Sequence, residues 1–136
     1  MAIDANKSLV ARYVELYNTG DLAIADGVLA AHFVDYTHPE AKPGPEDVKR
    51  MVTQFRLAFP DAHVTIEDII CEGDTVAFRF TLSGTQQGQF GSIAPTDKKI
   101  SWTGMDFVRI ADGKIVELWS SQDSLAMLRQ LGMKSL

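Results

Sequence analysis

The sequence predicts an α+β domain in which helices pack on one face of a bent antiparallel sheet. Helical periodicity fills the first third of the chain, four β-prone segments joined by short turns follow, and a short helix comes last. No repeat or linker divides the 136 residues, so residues 1–136 are expected to form a single domain. A bent sheet of this kind closes only partly, which predicts a pocket between the sheet and the helices.

The helices are predicted from apolar residues that recur at helical spacing. They span 4–18, 22–29, 45–59 and 124–131, with a short β-prone segment at 33–36. Asp4 and Asp21 are the expected N-caps of the first two helices, and Pro60 prevents the third from continuing. Gly132 is expected to end the last helix.

The strands are predicted as two hairpins. They span 62–71, 75–85, 98–111 and 114–122, and residues 86–97 form a longer loop. Asp112-Gly113 is the strongest short hairpin signal in the chain, because both residues tolerate a positive φ. Gly73-Asp74 marks the other turn and sets Asp68 opposite Arg79, either as a structural ion pair or as an arginine that orients a carboxylate.

The turn at Asp112-Gly113 also predicts which side chains share a face of the sheet. With a two-residue loop, Ala111 pairs with Lys114, Asp106 faces Trp119, and Trp102 faces Asp123. Two indoles and two carboxylates would then form one patch, unless a bulge shifts the register by one residue and dissolves it. The opposite face would carry Met105, Phe107, Val116 and Leu118 and would be core or the contact of a homodimer.

Composition excludes several classes of function. The formal net charge of -5 disfavours a nucleic-acid or membrane partner, and no segment approaches the roughly 20 apolar residues of a membrane helix. The single cysteine, Cys71, and an N-terminus without a signal-peptide pattern predict the cytoplasm. No His/Cys cluster has metal-ligand spacing, and neither a phosphate-binding loop nor a Gly-x-Ser-x-Gly elbow is present.

Short motifs along nearly the whole chain resemble those of a known family. They are Tyr17-Asn18-Thr19-Gly20-Asp21, His32-Phe33-Val34-Asp35, Phe59-Pro60-Asp61, Glu72-Gly73-Asp74, Gly104-Met105-Asp106, Asp112 to Trp119, and Met127 to Gly132. With these motifs the chain resembles the SnoaL-like polyketide cyclases, or ester cyclases, of the nuclear transport factor 2-like superfamily. The resemblance implies the cone-shaped α+β fold of that superfamily.

The resemblance also implies an activity. Such cyclases close a ring by intramolecular aldol condensation on a polyketide methyl ester, without metal or cofactor, using an aspartate at the end of the last long strand as general acid/base. Asp123 matches that position, although an aspartate before a helix is also a preferred N-cap. The expected ligand is an apolar small molecule. The predicted pocket residues around Asp123 are Tyr36, His38, Arg79, Trp102, Asp106 and Trp119.

Three departures from the family pattern bear on the substrate. The family often has Asp-His where this chain has Asp35-Tyr36, and Gly-Thr-His where this chain has Gly84-Thr85-Gln86. Asp97 stands where glycine is frequent. If the missing histidines line the pocket, their loss changes the substrate or removes activity.

Two alternatives to a cyclase therefore stay open. One is an epoxide hydrolase, in which Asp68, Arg79 and Asp106 would activate water on an epoxide, or else a ketosteroid-isomerase-like enzyme. The other is a non-catalytic ligand-binding or dimerisation module, for which a cavity filled by side chains would be the sign.

Overall fold

A computed structural model describes residues 2–133, and the α+β prediction is confirmed. The helices are α1 (Ala2–Thr19), α2 (Ala23–Val28), α3 (Glu46–Ala58) and α4 (Ser124–Gln130). The strands are β1 (Leu29–Asp35), β2 (His63–Glu72), β3 (Thr75–Thr85), β4 (Lys99–Ala111) and β5 (Lys114–Gln122). The predicted helix at 22–29 thus gives way to strand at Leu29, and Asp4 lies in the first turn of α1 instead of before it.

The five strands form one sheet in the order β1-β5-β4-β3-β2. The four long strands are antiparallel, as predicted, but β1 pairs with β5 in parallel, so the sheet is mixed. The sheet does not close into a barrel, and the helices cover its concave face. Their apolar residues, including Val10 and Val14 of α1 and Val52 of α3, are buried against those of the sheet.

The turn at Asp112-Gly113 has the predicted form. Both residues have a positive φ, of 52° and 75°, and Ala111 pairs with Lys114 across a two-residue loop. Gly73-Asp74 likewise sets Asp68 opposite Arg79. Turn chemistry alone was therefore sufficient to fix both hairpins at their tips.

A bulge then overturns the predicted register further along β4 and β5. Ile110 pairs with Ile115, but Arg109 pairs with Glu117, so Val116 is the extra residue. From there every β5 side chain is displaced by one position, and Asp106 lies opposite Ser120 while Trp119 lies opposite Phe107. The predicted patch of two indoles and two carboxylates is therefore wrong, since Trp119 lies on the face opposite Trp102 and Asp106.

The predicted outer face is corrected by the same bulge. Leu118 is buried on the inner face, and Val116 is also buried. Met105 and Phe107 do lie on the outer face, as predicted, and are more than half exposed. Within residues 2–133, no helix is long and apolar enough to cross a membrane.

Candidate functional site

An open cavity of about 780 Å³ lies between the concave face of the sheet and helices α1 and α3. Most of its wall is apolar, with side chains from α1, α3, β3, β4 and the loop before β4. The polar wall residues are Tyr13, Tyr17, Asp35, Thr37, His38, Gln54, Gln89, Asp106, Ser120, Gln122 and Ser124. None of the described residues that line the cavity is a lysine or arginine, so the two aspartates give it a negative charge when ionised.

Asp106 is the most unusual polar group in this wall. It lies on the inner face of β4 and is only 7% exposed. Its Oδ1 is buried and has no hydrogen-bond partner among the described residues. Burial raises the pKa of Asp106 to about 6, the charge of Asp35 adds to this, and the hydroxyl of Ser120 partly offsets it. A carboxyl group with such a pKa can take up and release protons near neutral pH.

A second carboxylate, Asp35, lies at the end of β1 and has an 8% exposed side chain. Its two oxygens are fully engaged by the turn that follows. Oδ1 accepts from the backbone N–H of Thr37 at 2.9 Å, and Oδ2 lies 2.9 Å from Nδ1 of His38. The Asp35 side chain therefore holds the imidazole of His38 in one orientation at the cavity wall.

Two phenols from α1, Tyr13 and Tyr17, also line the cavity. They are one helical turn apart, and their hydroxyl oxygens lie 3.3 Å from each other. Burial raises the pKa of Tyr13 well above its usual value and that of Tyr17 to about 12. The nearby charges of Asp106 and Asp35 raise both pKa values further. Both phenols are consequently neutral at physiological pH and act as hydrogen-bond donors.

The other end of the cavity is aromatic. The rings of Phe55 and Trp102 meet edge to face with centroids 6.2 Å apart, and Phe90 meets Phe55 in the same way at 6.5 Å. The indole N–H of Trp102 donates to Oε1 of Gln122 at 2.9 Å. Gln122 therefore holds the indole of Trp102 in place at the cavity wall.

The loop between β3 and β4 is held by Gln86, which is fully buried. Its Nε2 donates to the carbonyls of Ile93 and Ala94 at 3.1 and 3.2 Å, and its Oε1 accepts from the hydroxyl of Thr96 at 2.7 Å. Gln86 is thus a loop anchor and not a cavity residue, so the missing family histidine at this position removes no group from the cavity wall. At the end of the loop Asp97 has a φ of 58°, which explains why glycine suits this position.

Three of the seven predicted site residues line the cavity: His38, Trp102 and Asp106. Tyr36 and Trp119 lie outside it, stacked on each other with ring centroids 5.0 Å apart and 49% and 39% exposed. Tyr36 donates to Glu117 at 2.9 Å on this outer side. Trp119 was assigned to the pocket through the register that the bulge overturns, so that assignment is wrong.

Asp123 lies beyond the end of β5 and is exposed. Its Oδ1 accepts from the backbone N–H of Ala126 at 3.0 Å, so it is the N-cap of α4, which confirms the interpretation of this aspartate as a helix cap. Its neighbours Gln122 and Ser124 line the cavity, whereas Asp123 does not. The resemblance had implied that Asp123 is the acid/base, and the predicted register had placed it on one face with Trp102; the observed register removes that shared face.

Arg79 lies on the outer face of β3, 3.8 Å from Asp68, and both side chains are more than half exposed. The predicted pairing is confirmed as a surface ion pair. Asp106 is on the opposite face of the sheet, so the three residues do not form the Asp–Arg–Asp set of the epoxide-hydrolase hypothesis.

Nine of the eleven polar residues in the described cavity wall were not predicted from the sequence, namely Tyr13, Tyr17, Asp35, Thr37, Gln54, Gln89, Ser120, Gln122 and Ser124. A signal for the tyrosines was present, because two phenols at i and i+4 lie on the apolar face of the first helix. Ser120 and Gln122 could not be found, since the bulge decides which alternate residues of β5 face inward.

Comparisons with known proteins show the family and the fold of this chain. The family model of the SnoaL-like polyketide cyclases matches residues 7–131. The chain is 33% identical over 131 residues to aklanonic acid methyl ester cyclase DnrD of Streptomyces peucetius, covering 91% of this chain and 88% of that one. It is 29% identical over 126 residues to nogalonic acid methyl ester cyclase of Streptomyces nogalater, covering 88% of this chain and 91% of that one.

Solved structures with the same architecture include TsrD from Streptomyces laurentii and IdmH from Streptomyces antibioticus. The TM-scores are 0.90 and 0.81, at 27% and 31% identity. The alignments cover 95% and 94% of this chain and 96% and 99% of the other chains. The fold is the nuclear transport factor 2-like α+β fold, and the chain belongs to the SnoaL-like polyketide cyclase family.

Proposed function

We propose that this chain is a cyclase that closes a ring in an apolar carbonyl compound, with Asp106 as the general acid/base. One observation carries the proposal. Asp106 is a buried carboxylate in the wall of an open cavity, and its Oδ1 accepts no hydrogen bond from the described residues. A buried carboxylate oxygen without a hydrogen-bond partner is costly in free energy, and a substrate proton can relieve that cost.

The chemistry that this site suits is proton removal from a carbon next to carbonyl groups. The electron pair of the broken C–H bond delocalises onto a carbonyl oxygen as an enolate. A base with a pKa of about 6 is largely ionised at neutral pH and still accepts a proton. One of the neutral phenols of Tyr13 and Tyr17 donates to the oxygen of the other, which leaves the second phenol to donate a hydrogen bond to the enolate oxygen. The enolate carbon then attacks a second carbonyl carbon, and the ring closes.

The residues that line the cavity also indicate the chemical class of the substrate. Its aromatic end, built around Phe55, Phe90 and Trp102, suits a flat ring system. Its polar end holds Asp35 and Asp106 without a lysine or arginine among the described lining residues, which disfavours a substrate with a free carboxylate. A neutral methyl ester avoids that repulsion, and methyl esters are named in the cyclases to which the chain is similar.

Incubation of the purified protein with aklanonic acid methyl ester tests the function. We expect a cyclised product of unchanged mass, because an aldol closure only rearranges atoms. A product that has gained the mass of water would support a hydrolase instead. An isomer with a moved double bond and no new ring would support the isomerase alternative, which could use the same aspartate and phenols. Tight binding without conversion would support the non-catalytic alternative.

We also propose that the chain forms a homodimer through the outer patch, defined as Tyr36, Ile70, Met105, Phe107 and Trp119. The patch is continuous, since Ile70 and Phe107 both pair with Ala77 on the intervening strand, and Phe107 pairs with Trp119. Each of its side chains is 39–66% exposed. The neighbouring Arg109–Glu117 and Arg79–Asp68 pairs give this face both signs of charge, so two copies can meet without net repulsion. Light scattering at micromolar concentration should give twice the mass of one chain, and the mass of a single chain would refute the dimer.

A further inference from the structure

We propose that His38, held by Asp35, is a second proton-transferring residue of this cavity, and that it protonates the oxygen at which the new ring closes. This inference rests on the proposed cyclase function and adds a role for a second side chain. Neither Asp35 nor His38 takes part in the step assigned to Asp106. Asp35 would be a positioning residue, since it acts through the imidazole.

Asp35 fixes the orientation of the His38 imidazole. Nδ1 of His38 lies 2.9 Å from Oδ2 of Asp35, whose side chain is 8% exposed. A carboxylate accepts hydrogen bonds only, so Nδ1 carries a proton and donates it to Asp35. Nε2 is then the nitrogen that exchanges protons with a substrate. A buried carboxylate that fixes one ring nitrogen in this way sets both the tautomer and the direction of the other nitrogen.

The position of His38 relative to Asp106 also supports this role. The hydroxyl of Thr37 accepts from the N–H of Ser120 at 2.8 Å and donates to the carbonyl of Ser120 at 3.3 Å. Ser120 in turn lies directly opposite Asp106. The turn that carries His38 is therefore tied to the strand beside Asp106, and both side chains line the same cavity. The imidazole lies on the turn after β1 and the carboxylate on β4, so the two groups face one cavity from different elements.

The balance of protons in the ring closure also supports a second proton-transferring residue. Asp106 takes the proton of the broken C–H bond and becomes a neutral carboxylic acid. The enolate carbon forms the new C–C bond, and the π electrons of the attacked carbonyl move to its oxygen. The imidazolium of His38 gives its Nε2 proton to that oxygen and becomes neutral, so the product has the atoms of the substrate. Asp106 then releases its proton to water, and His38 takes up a proton from water, which restores both groups.

Exposure distinguishes the two proton-transferring groups. The side chain of His38 is 45% exposed, so it can recover a proton directly from solvent, whereas Asp106 is 7% exposed. Tyr13 and Tyr17 are poor alternatives for full proton transfer, because burial has raised the pKa of both phenols. The carbon that loses a proton and the oxygen that gains one are also different atoms of the substrate. One fixed carboxylate would have to reach both.

The test measures the two half-reactions separately with aklanonic acid methyl ester in D₂O. Protein-dependent deuterium uptake at the activated carbon reports proton removal, and product formation reports ring closure. We expect His38→Gln to keep uptake within about threefold of wild type and to slow closure about 100-fold. Asp35→Asn should slow ring closure less than His38→Gln does, and it should also keep deuterium uptake near the wild-type level. Asp106→Asn should lose both reactions.

His32→Gln is the matched control, because His32 is exposed on β1 and does not line the cavity. It should behave as wild type, and thermal unfolding should confirm that each variant is folded. Closure at the wild-type rate in His38→Gln would overturn the proposal, as would equal losses of uptake and closure. A wild-type protein that neither exchanges nor cyclises the ester would overturn the proposed function and this proposal with it.

Discussion

The inner and outer faces of the long strands β3 and β4 differ in what surrounds their polar groups. On the inner face, Asp106 is buried at the wall of the cavity, and its Oδ1 has no hydrogen-bond partner among the described residues. On the outer face, one residue from Asp106 along β4, Met105 and Phe107 are exposed, and Arg79 forms an ion pair with Asp68 at the surface. A step of one residue therefore separates a perturbed carboxyl group from an ordinary solvated surface.

The environment of a carboxyl group, and not its residue type, therefore determines which acid is reactive. The chain contains 18 aspartates and glutamates, and the family resemblance had directed attention to Asp123. Asp123 is exposed and is occupied as a helix cap, whereas Asp106 is desolvated and faces a cavity. Desolvation raises the free energy of the charged form, and a solvated carboxylate lacks that effect.

The largest expected effect separates these two aspartates. Asp106→Asn should lower kcat for ring closure by about 10²–10⁴-fold, since a general base is lost without a change in shape. Asp123→Asn should keep kcat within about twofold, because asparagine caps a helix about as well as aspartate does. Steady-state kinetics with aklanonic acid methyl ester measures both. Equal losses of kcat in the two variants would contradict the assignment of Asp106, and not Asp123, as the general base.

The second prediction concerns the stability of the inner face as a function of pH. The folded-state pKa of Asp106 is about 6, above its unfolded value of about 3.9, so the folded protein binds this proton more tightly. The contribution of Asp106 to stability is therefore greatest below the unfolded pKa and falls as pH rises from about 4 to about 6. The loss is about 3 kcal/mol. Asp106→Asn should remove this loss, so that the variant exceeds wild type in free energy of unfolding above pH 6.

Urea unfolding at pH 4 and pH 7 checks that prediction. The difference in free energy between Asp106→Asn and wild type should be largest at pH 7 and should shrink at pH 4. A difference that is the same at both pH values would mean that Asp106 is hydrated in the folded protein and that the inner face is not dry.

The third prediction uses the outer face. Phe107→Glu places a charge in the centre of the outer patch and should weaken dimerisation by at least about 10²-fold, because an unpaired carboxylate would have to be buried. Light scattering across a dilution series measures it. Arg12→Glu changes an exposed charge on α1, away from this patch, and serves as the control. An unchanged dimer in Phe107→Glu would place the contact elsewhere.

The smallest expected effect is that of the surface ion pair. Arg79→Ala should change the free energy of unfolding by less than about 1 kcal/mol, since exposed pairs at such distances contribute little. Ring closure should continue at the wild-type rate, because Arg79 does not reach the cavity. A loss of activity comparable to that of Asp106→Asn would revive the hypothesis that arginine orients a catalytic carboxylate.

The sequence by itself determined the order of elements, the two hairpin turns and the family. These depend on local chemistry: positive φ at Asp112 and Gly113, helical periodicity, and Pro60 after the third helix. The pairing of Asp68 with Arg79 followed from the second turn in the same way. Local rules are sufficient there because a two-residue turn sets the pairing of the residues on both sides of it.

His38, Trp102 and Asp106 were predicted as pocket residues, and the rest of the site followed only from the tertiary structure. One extra residue, Val116, reverses the faces of the rest of β5 and moves Trp119 outward and Ser120 inward. Tyr13, Asp35 and His38 reach the cavity from elements that are distant in sequence from Asp106. Burial, and with it the raised pKa of Asp106, is a property of how these elements pack around a shared space, and side-chain periodicity along a single strand does not encode it.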